Sequence, residues 1–411
     1  MPLFFNTPAS PLAVPYAYLP DGWDTAWQTA KALSGTEPVA ITAIGDSVTA
    51  GQGSSNILQT SWFALLRQKL LLTNTLGGDH YGWLYGPSST SGYNPVGTPI
   101  NVPGTFGVDY DWNYLAQNSC ISNLQTETPL MSVTPSYRVV GFDILYLDIT
   151  PGSWTYNVDG GANTTVTTTG NGTKAASTVK KASVTGLTLG THTLNINSFS
   201  SSYRCNIIGV TAYASTSNGL LFANMGSSGM GLVNGYTSGD NNLATTGSFP
   251  PDRIALYQGY QGTTAAPSAL TGLGFPMQPK LGILSFGIND AYNGTTGTQF
   301  RDSLMSLVMS LRFGQANNAC SIIICAMWAP DGNGADSTHV QNNDYGGGAS
   351  PYKDIRTAML QVAQLQGCAY LDVHGLFGQY PVSSGLVTST SNLHPTNLGH
   401  ETIFQLVYSV L

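Results

Sequence analysis

Apolar and polar positions follow three successive regimes along this chain. The first mixes helical and strand-like periods. Residues 21–33, from Asp21 through Trp23 and Trp27 to Leu33, predict a short helix ended near Gly35. The apolar run 39–44 predicts a short buried strand. Ser61 stands as an N-cap before Trp62, Leu65, Leu66 and Leu70, whose spacing predicts a helix over 61–72.

From about residue 95 the period shortens to two. Tyr137 to Ile149 reads as a long strand, and Trp154, Tyr156 and Val158 alternate with polar residues. Asp159-Gly160-Gly161 makes a turn, Thr193 to Asn197 alternates again, and Arg204 to Ala214 closes the region. Threonine-rich runs such as Thr164 to Thr169 lie between them, and no helical pattern interrupts. Short strands with turn signals at this spacing predict an antiparallel sandwich.

Mixed periods return near residue 218. Leu220 to Asn224, Leu281 to Phe286, Ser321 to Met327 and Ala369 to Val373 read as strands. Between them come helical patterns over Pro250 to Gln258, at Leu304, Leu307, Val308 and Leu311 before Gly314, and at Ile355, Met359 and Val362 before Gly367. Pro395 to Leu411 forms the last helix. Strands alternating with helices predict a parallel sheet covered on both faces. The expected division is an N-terminal arm and short helix over 1–37, an α/β domain built from 38–94 and 216–411, and an antiparallel β-sandwich inserted over 95–215.

Composition narrows the function classes. Hydrophobic residues make up 42% of the 411 positions, enough for a sizeable core, but only 9% are charged, against a usual value of about 25%. The surface is therefore neutral and polar. The net charge of −7 leaves no basic patch for nucleic acid or an anionic membrane. No apolar run approaches the ~20 residues of a membrane span. The first 20 residues lack Lys and Arg and are broken by Pro2, Pro8, Pro11, Pro15 and Pro20. They read as an extended arm, a loose tail or a docking element for a partner, and not as a secretory signal. The cysteines, Cys120, Cys205, Cys320, Cys325 and Cys368, are odd in number and lack a C-x-x-C pair, so neither a zinc site nor a disulfide framework is expected. Cys320 and Cys325 read as buried thiols on opposite sides of a strand, and a Cys120–Cys205 bridge is one option. The six histidines show no metal-ligand spacing, and no cofactor is expected.

Candidate chemistry starts where the strand 39–44 ends, in Gly45-Asp46-Ser47. A serine just past a strand end presents its hydroxyl from a rigid element, as a nucleophile requires. Three later stretches fit it: Asn224-Met225-Gly226-Ser227-Ser228-Gly229, Gly287-Ile288-Asn289-Asp290 and Asn392-Leu393-His394-Pro395. Each lies just past a strand or in a loop beside the sheet, where open α/β folds place their sites.

Together the four blocks, in this order, resemble the SGNH hydrolases, also called the GDSL esterase/lipase family. The resemblance covers the α/β host, roughly 250 residues, and implies a three-layer α/β/α domain with a parallel sheet. Carried over, it makes Ser47 the nucleophile and His394 its general base. It makes the backbone N–H groups of Ser47 and Gly229 and the side-chain amide of Asn289 the oxyanion hole. The chemistry is coherent: imidazole can take a hydroxyl proton at neutral pH. Neutral donors already aimed at the tetrahedral oxygen stabilise it without reorganisation. Asp46 and Asp290 then serve the turns through side-chain-to-backbone bonds. His400 reads as a packing or capping residue, and His374 is an outside candidate for the base.

The chain departs from the family pattern at one point. The family places Asp three residues before the histidine, and here that position is Ser391, with no carboxylate in the ten residues before His394. Three arrangements are open: a Ser–His dyad oriented by a backbone carbonyl, Ser391 or Asn392; an acid supplied by Asp372 from the last strand; or a weakened or inactive site. The insert loosely resembles β-sandwich modules of carbohydrate-acting esterases, of jelly-roll type, through Val158 to Gly161 and Gly186 to Leu194. That resemblance implies an O-acylated carbohydrate or cell-wall polymer as substrate, with Tyr292 and Trp328 as candidates to stack on sugar rings. The absence of a signal, the proline-broken arm and the neutral surface resemble phage tail proteins that carry such domains. An extracellular or virion-borne location is expected, with residues 1–20 contacting other virion proteins. The competing expectation is a glycan-binding adhesin that has lost catalysis.

Overall fold

The computed structural model describes residues 16–57, 59–73, 82–85, 100–101, 107–109, 120–122, 131–135, 137–148, 151–169, 178–199, 206–215, 218–226, 231–233, 279–292, 294–313, 320–329, 352–378, 382–388 and 394–411. Its strands are β1 (Ala17–Tyr18), β2 (Pro38–Gly45), β3 (Gly82–Tyr85), β4 (Ile100–Asn101), β5 (Gly107–Asp109), β6 (Cys120–Ser122), β7 (Met131–Val133), β8 (Gly141–Asp148), β9 (Pro151–Val158), β10 (Thr164–Thr169), β11 (Thr178–Val184), β12 (Leu194–Phe199), β13 (Asn206–Tyr213), β14 (Gly219–Gly226), β15 (Pro279–Ser285), β16 (Ser321–Ala326) and β17 (Ala369–Asp372). Its helices are α1 (Thr25–Leu33), α2 (Ser47–Ala50), α3 (Trp62–Thr73), α4 (Ile288–Tyr292), α5 (Gly297–Phe313), α6 (Tyr352–Gln366), α7 (Val373–Phe377) and α8 (Asn397–Tyr408).

One sheet runs β1-β17-β16-β15-β2-β14-β3-β13-β6-β5, with β8 pairing β13 and β11 pairing β8. The stretch from β17 to β3 is parallel. β2 lies inside it, and every residue from Val39 to Gly45 is buried. Successive side chains point to opposite faces, so burial of all of them means that both faces are covered. Helices α5 and α6 pack together, as do α3 and α8. The core includes Trp27, Phe63, Phe222, Phe300 and Tyr352. No described helix is long and apolar enough to cross a membrane.

The region expected as a separate jelly-roll-like insert is organised differently. β3 is parallel to β14 on one side and antiparallel to β13 on the other, so the α/β sheet continues into the antiparallel strands. An uncovered β3 edge would leave a row of unpaired N–H and C=O groups, and β13 fills it. A second antiparallel sheet, β10-β9-β12-β7-β4, supplies the other layer. Tyr146 of β8 meets Trp154 of β9 edge-on at 5.3 Å between ring centres, which joins the two sheets through a buried aromatic contact. The turn at Asp159 (φ 55°) forms as expected. Its carboxylate accepts from Thr193 N–H at 2.7 Å and pairs with His192 Nδ1 at 2.6 Å.

Local signals account for the helix ends. Ser61 Oγ accepts from Ala64 N–H at 3.3 Å at the start of α3, and Thr396 Oγ1 accepts from Gly399 N–H at 3.2 Å at the start of α8. At the N-terminus, β1 pairs with β17, and Tyr16 C=O accepts from Asp372 N–H at 2.7 Å. The described end of the proline-broken arm is thus an edge strand of the chain's own sheet. Cys320, Cys325 and Cys368 are buried free thiols, and burial pushes Cys320 up to about 12. The helix expected over Pro250 to Gln258, the Cys205 end of the suggested bridge and residues 1–15 of the arm lie outside the described residues.

Candidate active site

Parallel register brings the site together. Gly45 at the end of β2 is level with Gly226 at the end of β14 and with Ser285 at the end of β15. Ser47 follows Gly45 by two residues, and Asn289 follows Ser285 by four. Both therefore emerge at the same rim, from β2 and its immediate neighbour β15.

The chain turns straight from β2 into α2. Asp46 Oδ1 accepts from Val48 N–H at 2.9 Å and so caps that one-turn helix. Ser47 is its first residue, so its N–H has no acceptor within the helix and is available to a ligand. Close backbone packing requires glycine here. A Cβ on Gly45 would stand 2.2 Å from Ser285 O, and one on Gly226 would stand 2.2 Å from Ala50 N. Asn224 secures the same contact: its amide donates to Thr49 O at 2.9 Å and accepts from Gly226 N–H at 3.0 Å.

His394 reaches this rim from the segment before α8. Its Nε2 lies 3.0 Å from Ser47 Oγ. Ser47 is 7% exposed, and burial lowers the His394 pKa to about 4. The imidazole is therefore neutral at pH 7. With its proton on Nδ1, Nε2 can accept from the serine hydroxyl, which is the arrangement for general-base activation.

Two buried carboxylates brace the surroundings. Burial raises Asp46 to about 7, opposed by its bonds to Val48 and Thr49 and reinforced by the nearby charge of Asp290. Asp290 accepts from Leu232 N–H at 2.9 Å and Val233 N–H at 2.6 Å. It thereby ties α4, which carries the buried Asn289, to the chain just after residues 227–230. The expected turn role fits Asp46 locally, whereas Asp290 reaches a segment 57 and 58 residues away.

Residues 223–402 of this chain match the GDSL-like lipase/acylhydrolase family. The match spans 180 of the 411 residues, under half of the chain. With Ser47 and His394 in contact, the chain is a serine esterase. A solved structure of a peptidoglycan O-acetylesterase is similar over 98% of this chain and 96% of its own, with a TM-score of 0.59 at 16% identity, which is a likeness of fold. A family two carbohydrate esterase from Cellvibrio japonicus (12% identity, 75% of this chain and 92% of that one, TM-score 0.29) and an acetylxylan esterase from Geobacillus stearothermophilus (14% identity, 46% and 71%, TM-score 0.29) match more loosely and carry no argument. No curated protein matches the sequence.

Other expected residues of this acylhydrolase domain fall elsewhere. Asp372 is not placed to orient His394. β17 lies three strands from β2, a lateral separation of about 14 Å at roughly 4.8 Å per strand. The Asp372 carboxylate accepts instead from Arg356 at 2.5 Å and from Gly375 N–H at 3.0 Å, capping α7. His374, the outside candidate for the base, is buried; its Nδ1 accepts from Ala329 N–H at 3.4 Å and its ring meets Tyr352. Trp328 is only 2% exposed, so it is a core residue and not a stacking platform for sugar. Tyr292, at the end of α4, is 45% exposed. Gly229, Ser391 and Asn392 lie outside the described residues.

Sequence reasoning assigned no role to Asn224 or to the long reach of Asp290. An asparagine near the end of the apolar run Leu220 to Ala223 was the available signal. A buried amide there needs partners, and α2 supplies one.

Proposed function

We propose that this esterase hydrolyses O-acyl esters, most simply O-acetyl esters, on a carbohydrate or cell-wall polymer through an acyl-enzyme on Ser47. The 3.0 Å contact between Ser47 Oγ and His394 Nε2 at the carboxyl rim of the sheet carries this reading. His394 takes the hydroxyl proton as Oγ attacks the ester carbonyl, and then returns it to the departing sugar hydroxyl. Water, activated by the same imidazole, releases the carboxylate. The N–H groups of Ser47 and Gly229 and the amide of Asn289 receive the tetrahedral oxygen. Tyr292 lines the approach of the polymer. The likeness over nearly the whole chain to a peptidoglycan O-acetylesterase fold favours a polymeric saccharide substrate. An extracellular or virion-borne setting fits such a substrate and the sparsely charged surface.

The test is covalent labelling by a fluorophosphonate, followed by acetate release from a panel of O-acetylated polysaccharides that includes peptidoglycan. Labelling of the wild type, loss of it in Ser47→Ala and acetate release from at least one polymer are expected. Ser47→Ala should lower turnover by at least ~10⁴-fold. Glycan binding without labelling or release would instead make the protein an adhesin.

A further inference from the structure

Loop 51–55 runs beside both members of the catalytic pair. It leaves α2 at Gly51, and Gln52 N–H donates to Ser47 O at 2.9 Å, which fastens the loop to the nucleophile's own residue. Its middle presses on the base: a Cβ on Gly53 would stand 2.9 Å from His394 Cβ and 2.3 Å from Pro395 O. The position of His394 is thus set in part by where this loop sits.

The first turn of α8 holds the loop from the other side. Asn397 Oδ1 accepts from Ser55 N–H at 2.8 Å, and Asn397 Nδ2 donates to Ser55 Oγ at 2.8 Å. The wholly buried His400 spans the gap beside it. Its Nδ1 accepts from Trp62 N–H at 3.4 Å, which leaves the proton on Nε2 to donate to Gln52 O at 3.1 Å. The helix turn that carries these two anchors begins at Asn397, three residues after the base, so the base and the anchors belong to one short stretch of chain.

We infer that Asn397 and His400 are positioning residues that pin loop 51–55 against His394 and so aim its imidazole at Ser47. This rests on the hydrolase reading. Asn397 is exposed, and its two side-chain bonds run to Ser55, so its effect on the chemistry passes through the loop. An asparagine chosen only for helix propensity would be a poor choice at this place. A side chain that accepts from one N–H and donates to one hydroxyl is well chosen for gripping a loop.

The experiment compares wild type, Asn397→Ala and Asn397→Asp in the intact chain. It reads the rate of fluorophosphonate labelling at Ser47, kcat and KM on an aryl acetate, and the melting temperature. Asn397→Ala is expected to lower labelling and kcat by about 10- to 100-fold, the scale of a sub-ångström to 1 Å misplacement, with KM within about threefold and little change in melting temperature. Asn397→Asp keeps acceptors for Ser55 N–H and Oγ–H and should recover most of the rate. Wild-type rates in Asn397→Ala, a change in KM alone, or a rate loss that follows a collapse in melting temperature would each overturn the inference. If the wild type itself fails to label, the hydrolase reading falls and the inference with it. If the wild type labels and Asn397→Ala labels equally fast, only the inference falls.

Discussion

Gly53→Ala is the sharpest structural test of how the base is held. Gly53 has φ 94°, where a side chain costs roughly 1–3 kcal/mol. The added methyl would also meet His394 Cβ at 2.9 Å and Pro395 O at 2.3 Å. An ordinary carbon–carbon contact is roughly 3.5–4 Å, so the loop and the His394 segment must part by roughly 1 Å. The 3.0 Å bond from Ser47 to His394 would then stretch to about 4 Å, beyond hydrogen-bond range. A shift of that size costs on the order of 10²-fold in turnover. The assay is kcat and KM on an aryl acetate beside a thermal melt, with Gly160→Ala as the comparison. Gly160 has φ 71°, and a Cβ there would meet nothing within 4 Å. It lies beyond β9 in the antiparallel region. It shares the backbone strain without the clash. Both variants should melt a few degrees lower, and only Gly53→Ala should lose turnover. Wild-type kcat in Gly53→Ala would refute the reasoning, because the base would then not depend on contact with this loop.

Other expectations follow from the same geometry. Asp372→Asn should leave kcat within about threefold while losing about 1 kcal/mol from its partly exposed pairing with Arg356; a kcat loss near 10⁴-fold would reinstate Asp372 as the acid partner of His394. The pH dependence of stability should show two opposed windows. His394 and His400 are both lowered to about 4 by burial, so their contribution is present above the ordinary 6.5 and is lost as pH falls through about 4. Asp46 is raised to about 7 by burial, so its contribution is complete below the ordinary 3.8 and is lost as pH rises through about 7. Asp46→Asn keeps the acceptor for Val48 N–H and removes the titration, so between about pH 4 and pH 7, where the folded carboxyl holds a proton that the unfolded chain has lost, melting temperature should rise more steeply with pH in the variant than in the wild type. Equal slopes in the two proteins would show that Asp46 does not titrate there.

Much of the fold could be read from the sequence, because burial writes itself into periodicity. Val39 to Ile44 and Ile322 to Ala326 are unbroken apolar runs apart from Thr42, and the structure makes them central parallel strands. Trp154 and Tyr156 alternate with polar neighbours, and both are buried on one face of β9. The joint at β3 was not readable. Four residues, Gly82 to Tyr85, are too few to show a period, and their double role comes from two distant partners, β14 and β13. Continuity of the sheet is a fact about pairing, and pairing leaves no mark on a single short strand. The one-turn helices α2 and α4 read as loops in the sequence for the same reason, although Asp46 before Ser47 is an N-cap signal.

The candidate site divides along the same line. Ser47, Asn289 and His394 stand in local patterns that name themselves by residue type. Asn397, His400 and Gly53 do not, because their work lies in contacts across more than 300 residues of chain. What unites the two groups is strand order. From β2 the sheet extends one way through β14 and β3 and the other way through β15, β16 and β17. Connections leaving in opposite directions open a crevice at the carboxyl end of the strand between them. β2 is that strand, and the serine stands two residues past its end. A nucleophile on β16 would sit between β15 and β17, strands joined to it by successive connections that move across the sheet in one direction, with no gap for a substrate to enter. The position of Ser47 is therefore a consequence of topology as much as of the motif that surrounds it.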